Sequence, residues 1–242
     1  MKYFIFSDIH GNLEALEVVM EALDNFKDCM PICLGDIVGY GPNPQECIDA
    51  VRQRGIRCVV GNHDRAAIEQ VDISYFNPYA KEAVLWTRSI LKDADIQFLK
   101  SLPISLTIAN MTLVHATPCD PSAWNYLFTL FDAHNNFKCF DTQLCMIGHS
   151  HSPIIIAQAL SGDCWVHPHS VIAVHEDQRL IVNVGSAGQP RDGNPDATYV
   201  VYDDVERSIE IFRVPYNLRK TQEKMKQHGL PDYLIERLEI GR

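Results

Sequence analysis

Asp8 and His10, Asp36, Asn62 with His63 and Asp64, His115, and His149 with His151 are the residues of this 242-residue chain that could do chemistry together. Each group stands at the end of an apolar run: KYFIF, MPICL, IRCVV, MTLVHA and QLCMIG. A lone histidine after a strand is ordinarily a hydrogen-bonded structural residue, and a lone Gly-Asp is ordinarily a turn. Five strand candidates that all end on metal-ligand residue types form a different pattern, because strand–helix crossovers gather the loops at the carboxyl ends of strands. Histidine and aspartate together suit Zn, Fe or Mn, with Ni tolerated, whereas an all-oxygen set suits Mg or Ca. Residues two apart in an extended segment face the same way, so Asp8 and His10 can approach one ion together. Asp36, alone on its loop, has two oxygens and is the natural bridge between two ions. Asn62 adds a neutral carbonyl oxygen, which limits the negative charge around the pair. Two ions roughly 3.5–4 Å apart can activate a water and steady both oxygens of a phosphoryl displacement.

Periodicity indicates the elements that must position these residues. Leu13, Leu16, Met20 and Leu23 recur at helical spacing after the first strand. Asn43-Pro44 opens a second helix that Gly55 closes. A helical middle spans roughly Pro78 to Leu102, with Pro103 as its stop. From ISLTIAN onward the runs are close together and divided by Asn, Gly and Asp turns, so a second, largely antiparallel sheet is expected. The tail, about Asn217 to Leu238, reads as two short helices split by Gly229 and Pro231. The whole predicts one α/β domain over residues 1–242, two packed sheets flanked by helices, with the C-terminal helices as an appendage.

Composition excludes several functions. The formal net charge of −10 argues against an extended nucleic-acid surface, which needs clustered Lys and Arg. No window approaches the roughly 18 apolar residues of a membrane span. MKYFIFSDIHG reaches an Asp at position 8, too soon for a secretory signal. The 8 cysteines contain no C-x-x-C pair, and Cys33, Cys58 and Cys145 lie in or beside apolar runs. Cys29 and Cys33 are also read as buried rather than as a redox pair. A reduced, cytoplasmic protein is expected.

The blocks DIHGN, GDIVGYG, GNHD, VHA and GHSH, in that order from Asp8 to His151, resemble the calcineurin-like metallophosphoesterase superfamily. The later GSAGQPRDGNP resembles its compact bacterial and archaeal branch, with diadenosine tetraphosphatase-like and phosphodiesterase-like members. The resemblance implies a four-layer sandwich of two packed mixed β-sheets between helices. It implies that Asp8, His10, Asp36 and His151 hold one ion and that Asp36, Asn62, His115 and His149 hold the other. It leaves His63 free to protonate the leaving oxygen, with Asp64 orienting that imidazole. The attacking group would be hydroxide generated on the ions, which lower the pKa of water to about 7. The implied activity is hydrolysis of a phosphate mono- or diester in a small molecule, including a nucleotide. Dinucleoside polyphosphate cleavage and protein dephosphorylation are alternatives at the same site. Some relatives, such as the scaffold subunit of retromer, keep the fold without catalysis, but here every ligand position and His63 are intact.

Substrate contacts are read from weaker signals. ATPCDPSAWNYLF follows the His115 strand, and Trp124 and Tyr126 in it either stack on a base or simply pack. Arg191, in the glycine-rich turn GQPRDGNP, suits a phosphate oxygen, because a guanidinium can bond it bidentately. Arg65, directly after GNHD, is either a second such contact or solvated surface. His167 and His169 repeat the spacing of the GHSH pair, but no carboxylate or glycine loop accompanies them, so a strand-edge surface is expected.

Overall fold

The computed structural model describes Met1–Arg242. Its first strand, β1 (Lys2–Phe6), shows how the layers arise. Side chains alternate across a strand, so Phe4 and Phe6 pack under helices while Tyr3 and Ile5 enter the space between two sheets. β1 pairs in parallel with β2 (Cys29–Cys33), and β2 pairs in parallel with the two-residue β3 (Arg57–Cys58). The crossovers are α1 (Leu13–Asp24) and α2 (Pro44–Gln53). The Asn12 side chain caps α1 by accepting the Ala15 N–H, and Leu16, Val19, Met20 and Leu23 bury its apolar face. Pro44 opens α2 and Gly55, at φ +61°, follows its end, as the sequence predicts.

The third unit continues past β3 into α3 (Asn62–Ala67), so GNHD begins a helix. The helical middle is two helices, α4 (Pro78–Ile90) and α5 (Asp93–Ser101). After them come β4 (Ser105–Ile108) and β5 (Met111–Val114), then α6 (Leu130–Asn136) and β6 (Leu144–Ile147). The remaining strands are β7 (Ile154–Ala159), β8 (Cys164–Val166), β9 (Val171–Ala173), β10 (Gln178–Asn183), β11 (Ala197–Asp203) and β12 (Ser208–Val214).

They form two six-stranded sheets, ordered β3-β2-β1-β11-β12-β9 and β4-β5-β6-β10-β7-β8. The second sheet is therefore mixed rather than largely antiparallel. β5, β6 and β10 run parallel, because the 116–143 segment with α6 acts as a crossover between β5 and β6. Seven residues of α6 are too few to display a helical period, and three residues of β8 too few to display alternation. Late strands β9, β11 and β12 return to the first sheet, where β11 pairs antiparallel with β1. The inner faces of both sheets share one core, with Ile5, Ile32, Met111, Leu144, Met146 and Val182 fully buried. On the outer face of the second sheet, Cys145 and Ile147 pack on Phe137 and Ala133.

The tail forms α7 (Leu218–Gln227) and α8 (Asp232–Ile240). Met225, Leu234, Ile235 and Leu238 pack against Ala80 and Ala83 of α4 and against Tyr40. A buried carboxylate ties α7 to α1: Glu14 accepts from Lys224 at 2.5 Å and Thr221 at 3.2 Å, with Lys220 at 3.1 Å. No helix is long and apolar enough to cross a membrane.

One cysteine expectation is corrected. Cys119 and Cys139, 20 positions apart, are joined in a disulfide. The 116–143 crossover folds back along α6 and brings them together, a juxtaposition invisible in their spacing. The other six cysteines are free, and Cys33, Cys47, Cys58 and Cys145 are buried.

Candidate metal centre

β1, β2 and β3 run parallel in one sheet and β5 and β6 in the other, so the loops that follow all five strands can meet. They do, and two groups of ligand atoms result: Asp8, His10 and His151, and Asp36, His115 and His149, each within 4.8 Å. All six side chains are buried. Tight, unusual backbone places them. Asp8, His10, Asp36, His149 and His151 all have positive φ, between 51° and 67°. Such conformations cost about 1–3 kcal/mol each outside glycine and persist only where the surroundings enforce them. Gly61 and Gly148 provide part of that enforcement. A Cβ on Gly61 would collide with the Asp36 carboxylate, and one on Gly148 with Ser7 and Asp8.

Each imidazole is anchored on one nitrogen by a main-chain carbonyl. His10 Nδ1 donates to Val38 O at 3.2 Å, and His115 Nδ1 to Leu34 O at 2.8 Å. His151 Nδ1 donates to Gln189 O at 2.6 Å, and His149 Nε2 to Trp124 O at 2.9 Å. A carbonyl only accepts, so the anchored nitrogen carries the proton and the opposite nitrogen of a neutral ring is a bare lone pair. Those opposite nitrogens face each other: His10 Nε2 and His151 Nε2 are 3.0 Å apart, and His115 Nε2 and His149 Nδ1 are 3.2 Å apart. Burial lowers the pKa of His10 and His151, and that of His149 to about 3, so these rings are neutral. His115 differs. Burial opposes its charge, but Asp36 and Asp8 overcome this and raise it to about 9. Lone pairs facing at such distances repel unless a cation or a proton lies between them.

The carboxylates follow the same plan. Asp8 Oδ2 accepts the His149 main-chain N–H at 3.0 Å, and Asp36 Oδ1 accepts that of His63 at 2.8 Å. The second oxygen of each, Asp8 Oδ1 and Asp36 Oδ2, is buried with no hydrogen-bond partner. Asp36 Oδ2 lies 3.6 Å from His10 Nε2 and 3.2 Å from His115 Nε2, one nitrogen from each group. It therefore lies within reach of both groups, where a bridging carboxylate would have to stand. Asn62 Oδ1, 3.1 Å from His115 Nε2, joins the second group. All seven expected ligand positions converge, and the orphaned oxygens and facing nitrogens fit two cations.

The remaining predicted residues divide. His63 lines a pocket of about 440 Å³ beside the second group. Its ring centroid is 4.9 Å from that of His10 and 4.4 Å from that of Tyr40, and its Nδ1 is buried without a partner. Burial pushes its pKa down to about 4, with Asp36 pulling the other way. Asp64 does not orient that ring. Its Oδ1 accepts from the main chain of Ile37 at 2.8 Å and Val38 at 3.1 Å, and its Oδ2 from that of Gly61 at 3.0 Å. At the third position of α3, this carboxylate faces the orphan N–H groups of its own helix start and of the Asp36 loop. Burial and the charge of Asp36 raise its pKa to about 7, while the main-chain donors pull it back.

Arg65 does not line the pocket; it turns along α3 to bond Gln70. Arg191 stays close to the centre. Its main-chain N–H donates to His151 O at 3.0 Å, its guanidinium lies 5.5 Å from the Tyr40 ring centroid, and its Nε is buried without a partner. Trp124 and Tyr126 both line the pocket, and Tyr126 stacks on His149 at 4.2 Å. His167 and His169 belong to neither ligand group; they follow the edge strand β8, with His167 half-buried and His169 exposed. Several pocket residues escape the sequence reading: Tyr40, Tyr75, Phe76, Asn77 and Ala80. Tyr40 had a signal, since Gly39 and Gly41 flank it four residues after Asp36. Tyr75 and Phe76 had only their place before the Asn77-Pro78 helix start.

Comparison with known proteins agrees with this geometry. Residues 1–207 match the family model described as the calcineurin-like phosphoesterase superfamily domain. An uncharacterized protein of Methanocaldococcus jannaschii is 39% identical over 98% of this chain and 97% of its own length. The crystal structure of a metallophosphoesterase from Sphaerobacter thermophilus superposes with a TM-score of 0.86, at 40% identity and covering 100% of both chains. A hypothetical protein from Pyrococcus horikoshii OT3 shares the fold, with a TM-score of 0.82 at 18% identity, covering 100% of this chain and 98% of that one.

Proposed function

The chain belongs to the calcineurin-like phosphoesterase superfamily, and from that premise we propose that it hydrolyses a phosphate mono- or diester of a small molecule on two divalent or trivalent ions drawn from Mn, Fe, Zn or Ni. The observation that carries this reading is the two pairs of facing imidazole nitrogens with the unpartnered oxygens of Asp8 and Asp36 within 4 Å of them. A binding platform would have no use for that arrangement. Two cations bound there supply Lewis acidity, lowering the pKa of water and drawing charge from the phosphoryl oxygens.

The protein's own residues do the rest. Four main-chain carbonyls fix the imidazole orientations, so the free nitrogens of His10, His149 and His151 are aimed before any ion arrives, while that of His115 gives up a proton to receive one. His63 stands in the pocket wall and donates the proton to the departing oxygen. Burial keeps this ring neutral in the empty pocket, and the negative charge of a phosphate beside it favours the imidazolium. Tyr40 packs against both His63 and His10 and orients the acid in place of Asp64. The unpartnered Nε of Arg191 holds a phosphoryl oxygen.

The pocket supports an aromatic leaving group. His63 shares it with Tyr40, Tyr75, Phe76, Trp124 and Tyr126, so a nucleobase or aryl ring leaving past His63 meets aromatic faces. Its volume of about 440 Å³ suits a small molecule better than a phosphorylated peptide segment. The test is a panel of monoesters, diesters, dinucleoside polyphosphates and phosphopeptides with each metal in turn. Turnover of aryl or nucleoside esters is expected; no turnover of any ester with any metal would refute the enzyme reading.

A further inference from the structure

The pocket wall that carries Trp124 and Tyr126 has little of its own to hold it. Between Cys119 and Phe128 a single main-chain hydrogen bond, Ala123 N–H to Asp120 O at 3.0 Å, closes one short turn. Asp120 and Trp124, at the two ends of that turn, have φ of 52° and 54°, a strained conformation that outside forces must maintain. Yet this wall orients a metal-facing side chain. Trp124 O accepts the Nε2–H of His149, and the Tyr126 ring lies on the same imidazole.

The Cys119–Cys139 disulfide closes this stretch into a loop containing Trp124, Tyr126, Phe128 and α6. The two Cα atoms are 5.2 Å apart. Both sulfurs lie 3.6 Å from Asn135 O, and the Cys119 main-chain N–H donates to the Asn136 side chain at 3.2 Å, so the bridge seats the start of the wall on α6. Cys139 is exposed and Cys119 half-buried. We infer that this disulfide is a redox-sensitive clasp on the pocket wall. Intact, it holds Trp124 and Tyr126 against His149; reduced, it releases residues 120–129 and weakens the second metal position and the pocket together. Only its effect on turnover rests on the phosphoesterase reading.

The reductant is a dithiol, either a small molecule or a protein with a reactive dithiol pair. Its thiolate attacks Sγ of Cys139, the more exposed of the two residues, the S–S bond breaks, and Cys119 leaves as a thiolate that takes up a proton. The second thiol of the donor then attacks the mixed disulfide, freeing Cys139 as a thiol and closing the donor's own disulfide. Two electrons and two protons have passed to the protein. Competing exchange within the chain is disfavoured, because burial raises the pKa of the Cys33, Cys47 and Cys145 thiols.

Thiol titration of the denatured, unreduced chain should count six thiols, with all eight cysteines reacting after reduction. In the manganese-loaded protein, dithiothreitol should weaken the second metal equivalent about tenfold and leave the first unchanged, in the range seen when the partner of a metal-ligating histidine is lost. It should also speed chymotryptic cleavage between 124 and 131 and lower kcat/KM on an aryl phosphate ester. Oxidised glutathione should reverse all three changes. The Cys119→Ser/Cys139→Ser double variant should show the reduced-state values in either buffer, which separates the clasp from metal chelation by the reductant. Eight thiols without reductant, or metal affinity and cleavage indifferent to it, would overturn the clasp. Metal affinity and cleavage that respond while no ester is turned over in either state would overturn the phosphoesterase reading and leave the clasp standing.

Discussion

Every candidate ligand on the floor of the site is at most 8% exposed, whereas Tyr75, Tyr126 and Phe128 on and beside its walls are 92%, 45% and 73% exposed. The floor is set on the ends of five strands, and each of its imidazoles is fixed by a main-chain carbonyl. The walls come from two irregular stretches, one before α4 and one after β5, that hold few hydrogen bonds of their own. On the proposed function, the difference teaches where reaction and selectivity would reside. Cation chemistry needs positions fixed to fractions of an ångström, which rigid strand ends supply. Choice of leaving group needs only faces of suitable shape and polarity, which loops supply and can change.

Substitutions on the floor should therefore abolish the reaction, and substitutions on the walls should only reshape it. Asp36→Ala removes the oxygen between the two nitrogen groups, and turnover should fall roughly 1,000-fold or more with loss of at least one metal equivalent. Metal analysis beside steady-state kinetics checks this, and a variant holding two ions at full rate would remove Asp36 from the bridge. His63→Ala touches floor and wall at once. It should keep both metals and lose about 10²- to 10⁴-fold in kcat, most on esters with poor leaving groups. A loss equal across leaving groups would mean that His63 positions the substrate and donates no proton.

On the wall, Tyr126→Ala should raise KM for aryl or nucleoside esters and spare alkyl esters. Aromatic stacking worth about 0.5–1.5 kcal/mol corresponds to roughly a twofold to thirteenfold change. Equal effects on both ester types would show that Tyr126 acts only through His149.

The smallest effect belongs to the tail. Burial pulls the Glu14 carboxyl up, but hydrogen bonds from Lys224 and Lys220 overcome it and leave the pKa below its ordinary 4.5. A depressed folded value means that the stabilisation is present above pH 4.5 and lost as pH falls through the folded pKa. The protection of amides in α7 and α8, taken relative to the intrinsic exchange rate at each pH, should therefore fall on acidification below that point, and Glu14→Gln should flatten the dependence. Acid-insensitive protection in the unaltered protein would mean that apolar packing alone holds the tail.

The floor was legible in the sequence because its residues are chemically uncommon and recur at one structural location. Asp8, His10 and His151 need no knowledge of which strands pair; it is enough that each follows a strand. The Asp64 misreading has the same root. A carboxylate beside a histidine in sequence suggests a pair, but at the third position of a helix the main-chain N–H groups compete for it, and they win. The walls were not legible because Tyr75 and Phe76 are ordinary aromatic residues whose value comes from standing across a gap from residue 126. Sheet membership was hidden for a similar reason. β11 is buried on both faces along nearly its whole length, and such an apolar run says nothing of which sheet it joins.

Crystals grown with manganese and measured for anomalous scattering test the central claim most directly. Two peaks roughly 3.5–4 Å apart are predicted, one within reach of Asp8, His10 and His151, one within reach of Asn62, His115 and His149, with Asp36 between them. An absence of anomalous density among these four imidazoles at saturating manganese would contradict the account.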